Sequence, residues 1–149
     1  MPRARRRSPS GVRDVSELLV EIGLVARLGR VERRVTYQDA CHLAHGQGIR
    51  HQPRHLLRQI PGLRLLELPA SDRCCGSAGI YNLLHPAIAG ELRERKVNDI
   101  VGVGAEVVAV GNPGCLLQIE AGLRARRAPV ETVHTISLIA EACRRGLRE

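Results

Sequence analysis

Short apolar runs alternate with longer segments of helical periodicity from residue 35 onward, and this alternation constrains the fold more than any other feature of the chain. Such alternation is typical of parallel strands covered by helices. At 149 residues and 44% hydrophobic, the chain is long enough for one domain with a core. The pattern predicts an α/β fold, a single three-layer domain with a mainly parallel, roughly four-stranded sheet flanked by helices. The predicted strands are residues 35–38, 63–68, 106–110 and 130–133, and the predicted helices are residues 53–60, 86–101, 114–126 and 136–145.

The N-terminal part of the chain has a different composition. Residues 1–12 are rich in arginine, serine and glycine and are expected to form a disordered basic tail, which leaves residues 13–149 for the domain. A capping-box sequence begins at Asp14, and apolar residues follow it at helical spacing. We therefore predict an N-terminal helix over residues 15–28, ended by Gly29.

The net charge of +8 raises the question of a nucleic-acid partner. The chain contains no Phe or Trp and only two Tyr for base stacking, and it has no recognition motif, so no nucleic acid is expected. No stretch approaches the roughly 20 apolar residues of a transmembrane helix. The basic start lacks the apolar core of a signal peptide, which favours a cytoplasmic location, where thiols stay reduced.

Four of the five cysteines follow predicted strands. Cys41 follows the first strand, Cys74 and Cys75 follow the second, and Cys115 follows the third. Parallel strands end at the same edge of a sheet, and open α/β sheets place ligands at that edge. We therefore expect the four thiols to converge there, whereas Cys143 is expected to be a small apolar residue of the last helix.

We expect four thiols in this arrangement to serve as ligands for a metal. Four of them satisfy either a [4Fe-4S] cluster or a tetrahedral Zn²⁺ ion, and the number of ligands does not separate these cofactors. Gly76 and Gly114 would let backbone approach an inorganic core, and Arg73 could add positive charge beside it. A third alternative is a domain without metal, whose thiols only pack.

Histidine is a weaker candidate. Imidazole can replace a thiolate on zinc or on one iron of a cluster, and His42 adjoins Cys41 while His134 follows the last predicted strand. Single histidines more often make hydrogen bonds or face solvent. No Ser-His-Asp or P-loop pattern is present, so no catalytic residue is predicted.

Three motifs resemble the second cysteine-rich CCG domain of the glycolate oxidase iron-sulfur subunit, a family related to heterodisulfide reductase and lactate-utilisation proteins. They are residues 39–42 (Asp-Ala-Cys-His), residues 72–79 (Asp-Arg-Cys-Cys-Gly-Ser-Ala-Gly) and residues 111–118 (Gly-Asn-Pro-Gly-Cys-Leu-Leu-Gln). The resemblance implies an electron-transfer subunit that passes electrons from a flavin subunit of a 2-hydroxy acid oxidase or dehydrogenase toward quinone, and that is inactive alone. It implies an iron-sulfur cluster, [4Fe-4S] by preference, on Cys41, Cys74, Cys75 and Cys115, with His42, Arg73, Gly76 and Asn112 around it.

Two departures from the family qualify this expectation. The fullest motif ends in Cys-x-x-Cys, and Asn112 occupies the first of those cysteine positions, so four thiolates stand where the fullest form has five. The sequence also lacks the ferredoxin-like cysteine runs and the first CCG domain. The chain is therefore expected to be either a split subunit that works with a separate protein carrying those parts, or a truncated gene product. The other expected partners are FAD-containing glycolate dehydrogenase subunits, at a cytoplasmic location or peripherally at the inner face of the membrane. The alternative is a structural zinc-binding docking module without a redox role.

Overall fold

The computed structural model describes residues 12–148, so almost all of the tail predicted to be disordered lies outside the described residues. A sheet of four parallel strands runs through the centre in the order β2-β1-β3-β4. This confirms the predicted α/β fold. The strands are β1 (Arg34–Gln38), β2 (Arg64–Leu66), β3 (Val107–Val110) and β4 (Glu131–His134).

Helices connect the strands and cover both faces of the sheet. Their ends lie within two residues of the predicted ends for the four helices predicted after residue 35. The helices are α1 (Val15–Ile22), α2 (His51–Arg58), α3 (Tyr81–Leu84), α4 (Pro86–Val103), α5 (Pro113–Ala125) and α6 (Thr135–Gly146), and a π-helical segment covers His42–Gln47. Between residues 12 and 148, none of these helices is both long and apolar enough to cross a membrane.

The central strand β3 divides the core into two apolar layers. Val108 and Val110 face one layer, where they pack with Ile100 of α4 and Ile119 of α5. Val107 and Ala109 face the other layer, which α2 and α6 cover. All four residues of β3 are buried, because a parallel strand with helices on both faces has no side open to water. The three-layer arrangement predicted from the sequence is therefore present.

The predicted N-terminal helix is too long. It begins as expected, because the Asp14 carboxylate accepts a hydrogen bond from the Ser16 backbone N–H at 2.9 Å. It ends at Ile22 rather than residue 28, since Gly23 adopts a φ of +78°. Leu24 and Leu28 still pack on the core from the segment that follows, so their spacing reflects burial without a helix.

Gly29 serves a purpose other than ending a helix. Its backbone N–H donates to the carbonyl of Ala142 in α6 at 2.8 Å. A Cβ at residue 29 would lie 2.4 Å from the backbone nitrogen of Gly146. Two glycines thus let the N-terminal segment lie directly against the backbone of α6.

Candidate metal centre

The four cysteines predicted as ligands lie at the carboxyl edge of the sheet. Cys41 follows β1 and immediately precedes the π-helical segment, and Cys115 lies in the first turn of α5, directly after β3. Cys74 and Cys75 lie in the connection between β2 and α3. The parallel connectivity brings the three segments together, as the order of strands predicts.

The thiols are close enough to influence one another. A hydrogen bond from Cys115 lowers the pKa of Cys75 to about 7, although burial opposes this shift. The same contact, together with burial and the nearby Cys41 and Cys74, raises the pKa of Cys115. Cys75 and Cys115 are buried, whereas Cys41 and Cys74 are partly exposed. The structure therefore gathers all four thiols in one region, with two inside and two at the surface.

Backbone N–H groups also point at the sulfur atoms. Burial raises the pKa of the Cys74 thiol, and the N–H of Gly76, 3.3 Å from its sulfur, acts in the opposite direction. The backbone N–H of Ser77 makes the same kind of contact with Cys75. Such donors stabilise negative charge on sulfur and are one of the means by which proteins tune thiolate-bound metal.

Glycine is required where the cysteine segments pack on their neighbours. Gly76 has a φ of +89°, and a Cβ there would lie 2.4 Å from the carbonyl oxygen of Ala89 in α4. A Cβ on Gly114 would lie 2.9 Å from the hydroxyl oxygen of Ser77. The Cys74-Cys75 segment therefore packs between α4 and the start of α5. Gly76 lies against the backbone of α4, and Gly114 lies against the side chain of Ser77.

Asn112 caps the helix that carries Cys115. Its side-chain oxygen accepts a hydrogen bond from the Cys115 backbone N–H at 3.0 Å. This bond fixes the cysteine relative to β3 and satisfies a donor at the start of α5. The residue at the first position of the Cys-x-x-Cys element thus orients the candidate ligand Cys115 through its backbone.

Arg73, His42 and His134 have local surroundings that the sequence did not indicate. The guanidinium of Arg73 forms an ion pair with Asp99 of α4 at 2.7 Å. The imidazole of His42 is exposed at the start of the π-helical segment. His134 accepts a hydrogen bond from the Ile136 backbone N–H at 3.3 Å and caps α6. A role for Arg73 or His42 around a metal centre stays a prediction.

A buried ion pair that sequence reasoning missed supports the Cys41 segment. Arg54 donates to both carboxylate oxygens of Asp39, at 2.9 and 2.8 Å, and the Ser71 hydroxyl donates to the same carboxylate at 2.7 Å. Arg54 also lies over the ring of Tyr37, 4.9 Å from its centroid. These contacts join the Cys41 segment to α2 and to the connection that follows β2. An acidic residue two positions before Cys41 was the only available signal.

Lys96 is the second residue that the sequence analysis missed. It lies in α4 with no exposed surface, and its ammonium donates to the carbonyl oxygens of Ala70 and Ser71. The signal was its position on the apolar stripe formed by Ala89, Val97 and Ile100, where a charged residue is unusual.

The donor set at this edge of the sheet consists of four thiols, which are the ligands that iron-sulfur clusters and structural zinc prefer. Across residues 12–148, no three histidine, cysteine, aspartate or glutamate side chains form a group that could hold a metal ion, so the four thiols lie in one region without forming a closed ligand set. Backbone N–H groups directed at sulfur, as at Cys74 and Cys75, are a feature of thiolate-ligated iron-sulfur clusters. The chemistry of the donors therefore fits an iron-sulfur cluster.

Comparison with known proteins identifies relatives of this chain. The chain is 35% identical over 135 residues to the probable glycolate oxidase iron-sulfur subunit of Bacillus subtilis (strain 168), covering 88% of this chain and 30% of the relative. It is 30% identical to lactate utilization protein A of Oceanobacillus iheyensis, covering 85% and 52%. It is 38% identical to a subunit of the fumarate reductase (CoM/CoB) of Methanothermobacter marburgensis, covering 75% and 23%.

This chain thus spans between about a quarter and about half of the length of these relatives. The family described as the CCG cysteine-rich domain matches residues 35–120, which include all four clustered cysteines. The match runs from the start of β1 to the middle of α5, so it covers the sheet edge at which the thiols meet. The chain belongs to the CCG cysteine-rich domain family.

Proposed function

We propose that this chain is an iron-sulfur electron-transfer module of a glycolate or related 2-hydroxy acid oxidase or dehydrogenase. The single observation that carries the proposal is the convergence of Cys41, Cys74, Cys75 and Cys115 at one edge of the sheet. Three relatives, an iron-sulfur subunit among them, share most of this chain, which supports the same conclusion.

The proposed cluster type follows from the donors. Four thiolates are the usual ligand set of a [4Fe-4S] cluster, and backbone N–H groups of Gly76 and Ser77 already face two of the sulfur atoms. Cys75 and Cys115 would hold the inner side of the cluster, and Cys41 and Cys74 the outer side, because only the latter pair is partly exposed. Such a cluster supplies one-electron transfer, and the chain supplies its position and its dielectric surroundings.

Oxidation of a 2-hydroxy acid requires a hydride acceptor, which is the chemistry of a flavin rather than of thiolate-bound iron. The oxidation of the substrate therefore belongs to another protein in this proposal. An FAD-containing dehydrogenase subunit is the expected electron donor, and quinone is the expected final acceptor. A separate protein that carries the ferredoxin-like clusters and the first CCG domain is a further expected partner in this proposal. The expected location is the cytoplasm or the inner face of the membrane.

The test is metal content together with a matched pair of cysteine variants. The protein is purified without oxygen from cells supplied with iron and zinc, and iron, sulfide and zinc are measured per chain. The wild type is expected to hold about four irons with visible charge-transfer absorbance. Cys75→Ser is expected to lose the iron and the absorbance, whereas Cys143→Ser, which changes the thiol outside the site, is expected to keep both.

Other results would decide against the proposal. About one zinc and no iron, with unfolding on addition of a chelator, would indicate a structural zinc module, because structural zinc contributes directly to folding. Neither metal, with a fold that tolerates every single Cys→Ser change, would indicate a domain whose thiols only pack. Equal iron in the Cys75→Ser and Cys143→Ser variants would refute the assigned ligands.

A further inference from the structure

Lys96 is the only lysine of the chain, and it lies in the middle of α4 with 0% of its surface exposed. Burial lowers its pKa to about 8, although the charges of Asp99, Cys75 and Asp72 favour the protonated form. A lysine is rarely buried to this extent unless its ammonium is held by specific partners. The partners identify what this residue does.

The ammonium holds the turn that leads into the Cys74-Cys75 pair. It donates to the carbonyl oxygen of Ala70 at 2.8 Å and to that of Ser71 at 3.1 Å. Ala70 has a φ of +46°, a left-handed conformation that alanine adopts at a cost of about 1–2 kcal/mol. The bonds from Lys96 therefore help to keep in place a turn whose strained residue, Ala70, lies four residues before Cys74.

The same ammonium is linked to the segment that carries Cys41. The carbonyl oxygen of Ser71 also accepts a hydrogen bond from the Asp39 backbone N–H at 3.2 Å. Asp39 lies two residues before Cys41. Lys96 thus fixes, from α4, the relative position of two segments that carry three of the four thiols.

The charge of Lys96 is not cancelled by a direct ion pair. The nearby carboxylates have arginine partners, with Asp99 bound to Arg73 at 2.7 Å and Asp72 bound to Arg50 at 3.1 Å. Within residues 12–148 the Lys96 ammonium makes no ion pair, and its two hydrogen bonds go to neutral carbonyl groups. Its positive charge acts on the Cys74 and Cys75 thiols.

We propose that Lys96 is a positioning residue and a fixed counter-charge for the iron-sulfur cluster, holding the cysteine segments in place and raising the reduction potential of the cluster. This inference rests on the proposed function. Reduction adds one electron and therefore one negative charge to a centre already made negative by four thiolates. A buried cation stabilises the reduced form more than the oxidised form. No bond to Lys96 forms or breaks, and the ammonium keeps its proton.

The test compares three substitutions at this position with one control. Lys96→Gln removes the positive charge but keeps two N–H donors. Lys96→Met removes the charge and the donors, and Lys96→Arg keeps a positive charge. The control, Arg95→Gln, removes a charge from the neighbouring residue of α4, whose side chain is 66% exposed. Iron content, far-UV circular dichroism and a potentiometric titration with dithionite are measured for each variant, without oxygen.

Lys96→Gln is expected to retain the cluster and to lower its reduction potential. The equilibrium for reduction is expected to become at least tenfold less favourable, which is about 59 mV for a one-electron couple. Lys96→Met is expected to show the same shift with less iron per chain, and Lys96→Arg and Arg95→Gln are expected to stay near the wild type. A wild-type potential in an iron-loaded Gln or Met variant would overturn the inference, and so would unfolding of both. A wild-type protein that binds no iron would instead overturn the proposed function itself.

Discussion

Gly76 offers the sharpest test of how the cysteine pair is packed. Its φ of +89° lies in the left-handed region, and a Cβ would lie 2.4 Å from the carbonyl oxygen of Ala89. Gly79 is a matched control three residues later, because it has a φ of +66° but no neighbouring atom within 4 Å of the same added carbon. Replacing each by alanine therefore separates the cost of backbone conformation from the cost of the contact.

The two costs can be worked out separately. An alanine in the left-handed region costs about 1–2 kcal/mol, and both variants carry this cost. Only Gly76→Ala also forces a methyl group against helical backbone, which cannot rotate away, and overpacking of that kind costs about 1–3 kcal/mol. We expect Gly76→Ala to lower the free energy of unfolding by about 2–5 kcal/mol and Gly79→Ala by about 1–2 kcal/mol.

The assay is urea unfolding followed by far-UV circular dichroism on protein purified without oxygen, with the variants compared at equal iron content. If the free energy of unfolding falls with urea concentration at the same slope in all variants, a change in the unfolding midpoint reports a change in stability alone. Equal losses in the two variants would refute the reasoning, because they would mean that the segment moves away from α4 without cost. A loss in Gly79→Ala that exceeds the loss in Gly76→Ala would refute it as well.

Three further outcomes follow from contacts elsewhere in the fold. Asp39→Asn, which removes the buried counter-charge of Arg54 and leaves its guanidinium paired only with the exposed Glu67, is expected to cost about 1–3 kcal/mol in urea unfolding. Burial raises the pKa of Asp39, but hydrogen bonds from Arg54 more than offset this and leave the pKa below its ordinary value. The contribution of the Asp39 carboxylate to the free energy of unfolding is therefore complete above about pH 4 and is lost as the pH falls through the folded-state pKa. The wild type is expected to lose this stability on acidification, and Asp39→Asn is not. Tyr37→Phe is expected to change stability by less than about 1 kcal/mol, because within the described residues the buried hydroxyl has no hydrogen-bond partner, and a loss above about 2 kcal/mol would contradict that. Gly90→Ala, in α4 with open space around the added carbon, is expected to raise the free energy of unfolding in urea by about 0.5–1 kcal/mol, and a decrease would contradict the packing seen there.

The sheet and its connectivity could be predicted from sequence because each strand is a short apolar run of its own. β3, for example, reads Val-Val-Ala-Val and is buried on both faces, and the apolar run predicted there differs from it by one residue. The N-terminal helix could not be predicted to its end, since Leu24 and Leu28 pack against the core, partly buried, from a segment that has helix-like spacing but is not helical. Periodicity reports which residues are buried, and it indicates a helix only where the backbone is free to form one.

The candidate site was predictable in its location but not in its side-chain partners. The positions of Cys41, Cys75 and Cys115 after successive parallel strands are sufficient to predict a common edge. By contrast, Arg73 is a neighbour of Cys74 in sequence and yet pairs with α4, because the direction of a loop side chain depends on contacts that sequence spacing does not encode. Lys96 shows the same limitation, since its position on the apolar stripe of α4 indicates burial but not the carbonyl groups to which its ammonium donates.

The parallel pairing of β1 with β3 also determines when, during synthesis of the chain, the cysteine segments can come together. Val35 pairs with Val107, so the segments that carry Cys41 and Cys115 become neighbours only after the intervening chain has been made. At about 5–20 residues per second, roughly 4–15 s separate the synthesis of Cys41 from that of Cys115. In the later part of that interval, once Cys75 has been made, three thiols are present without the fourth and are exposed to oxidants and to competing metals. Insertion of the proposed cluster would therefore follow the translation of Cys115 in α5, when the fourth thiol joins the other three.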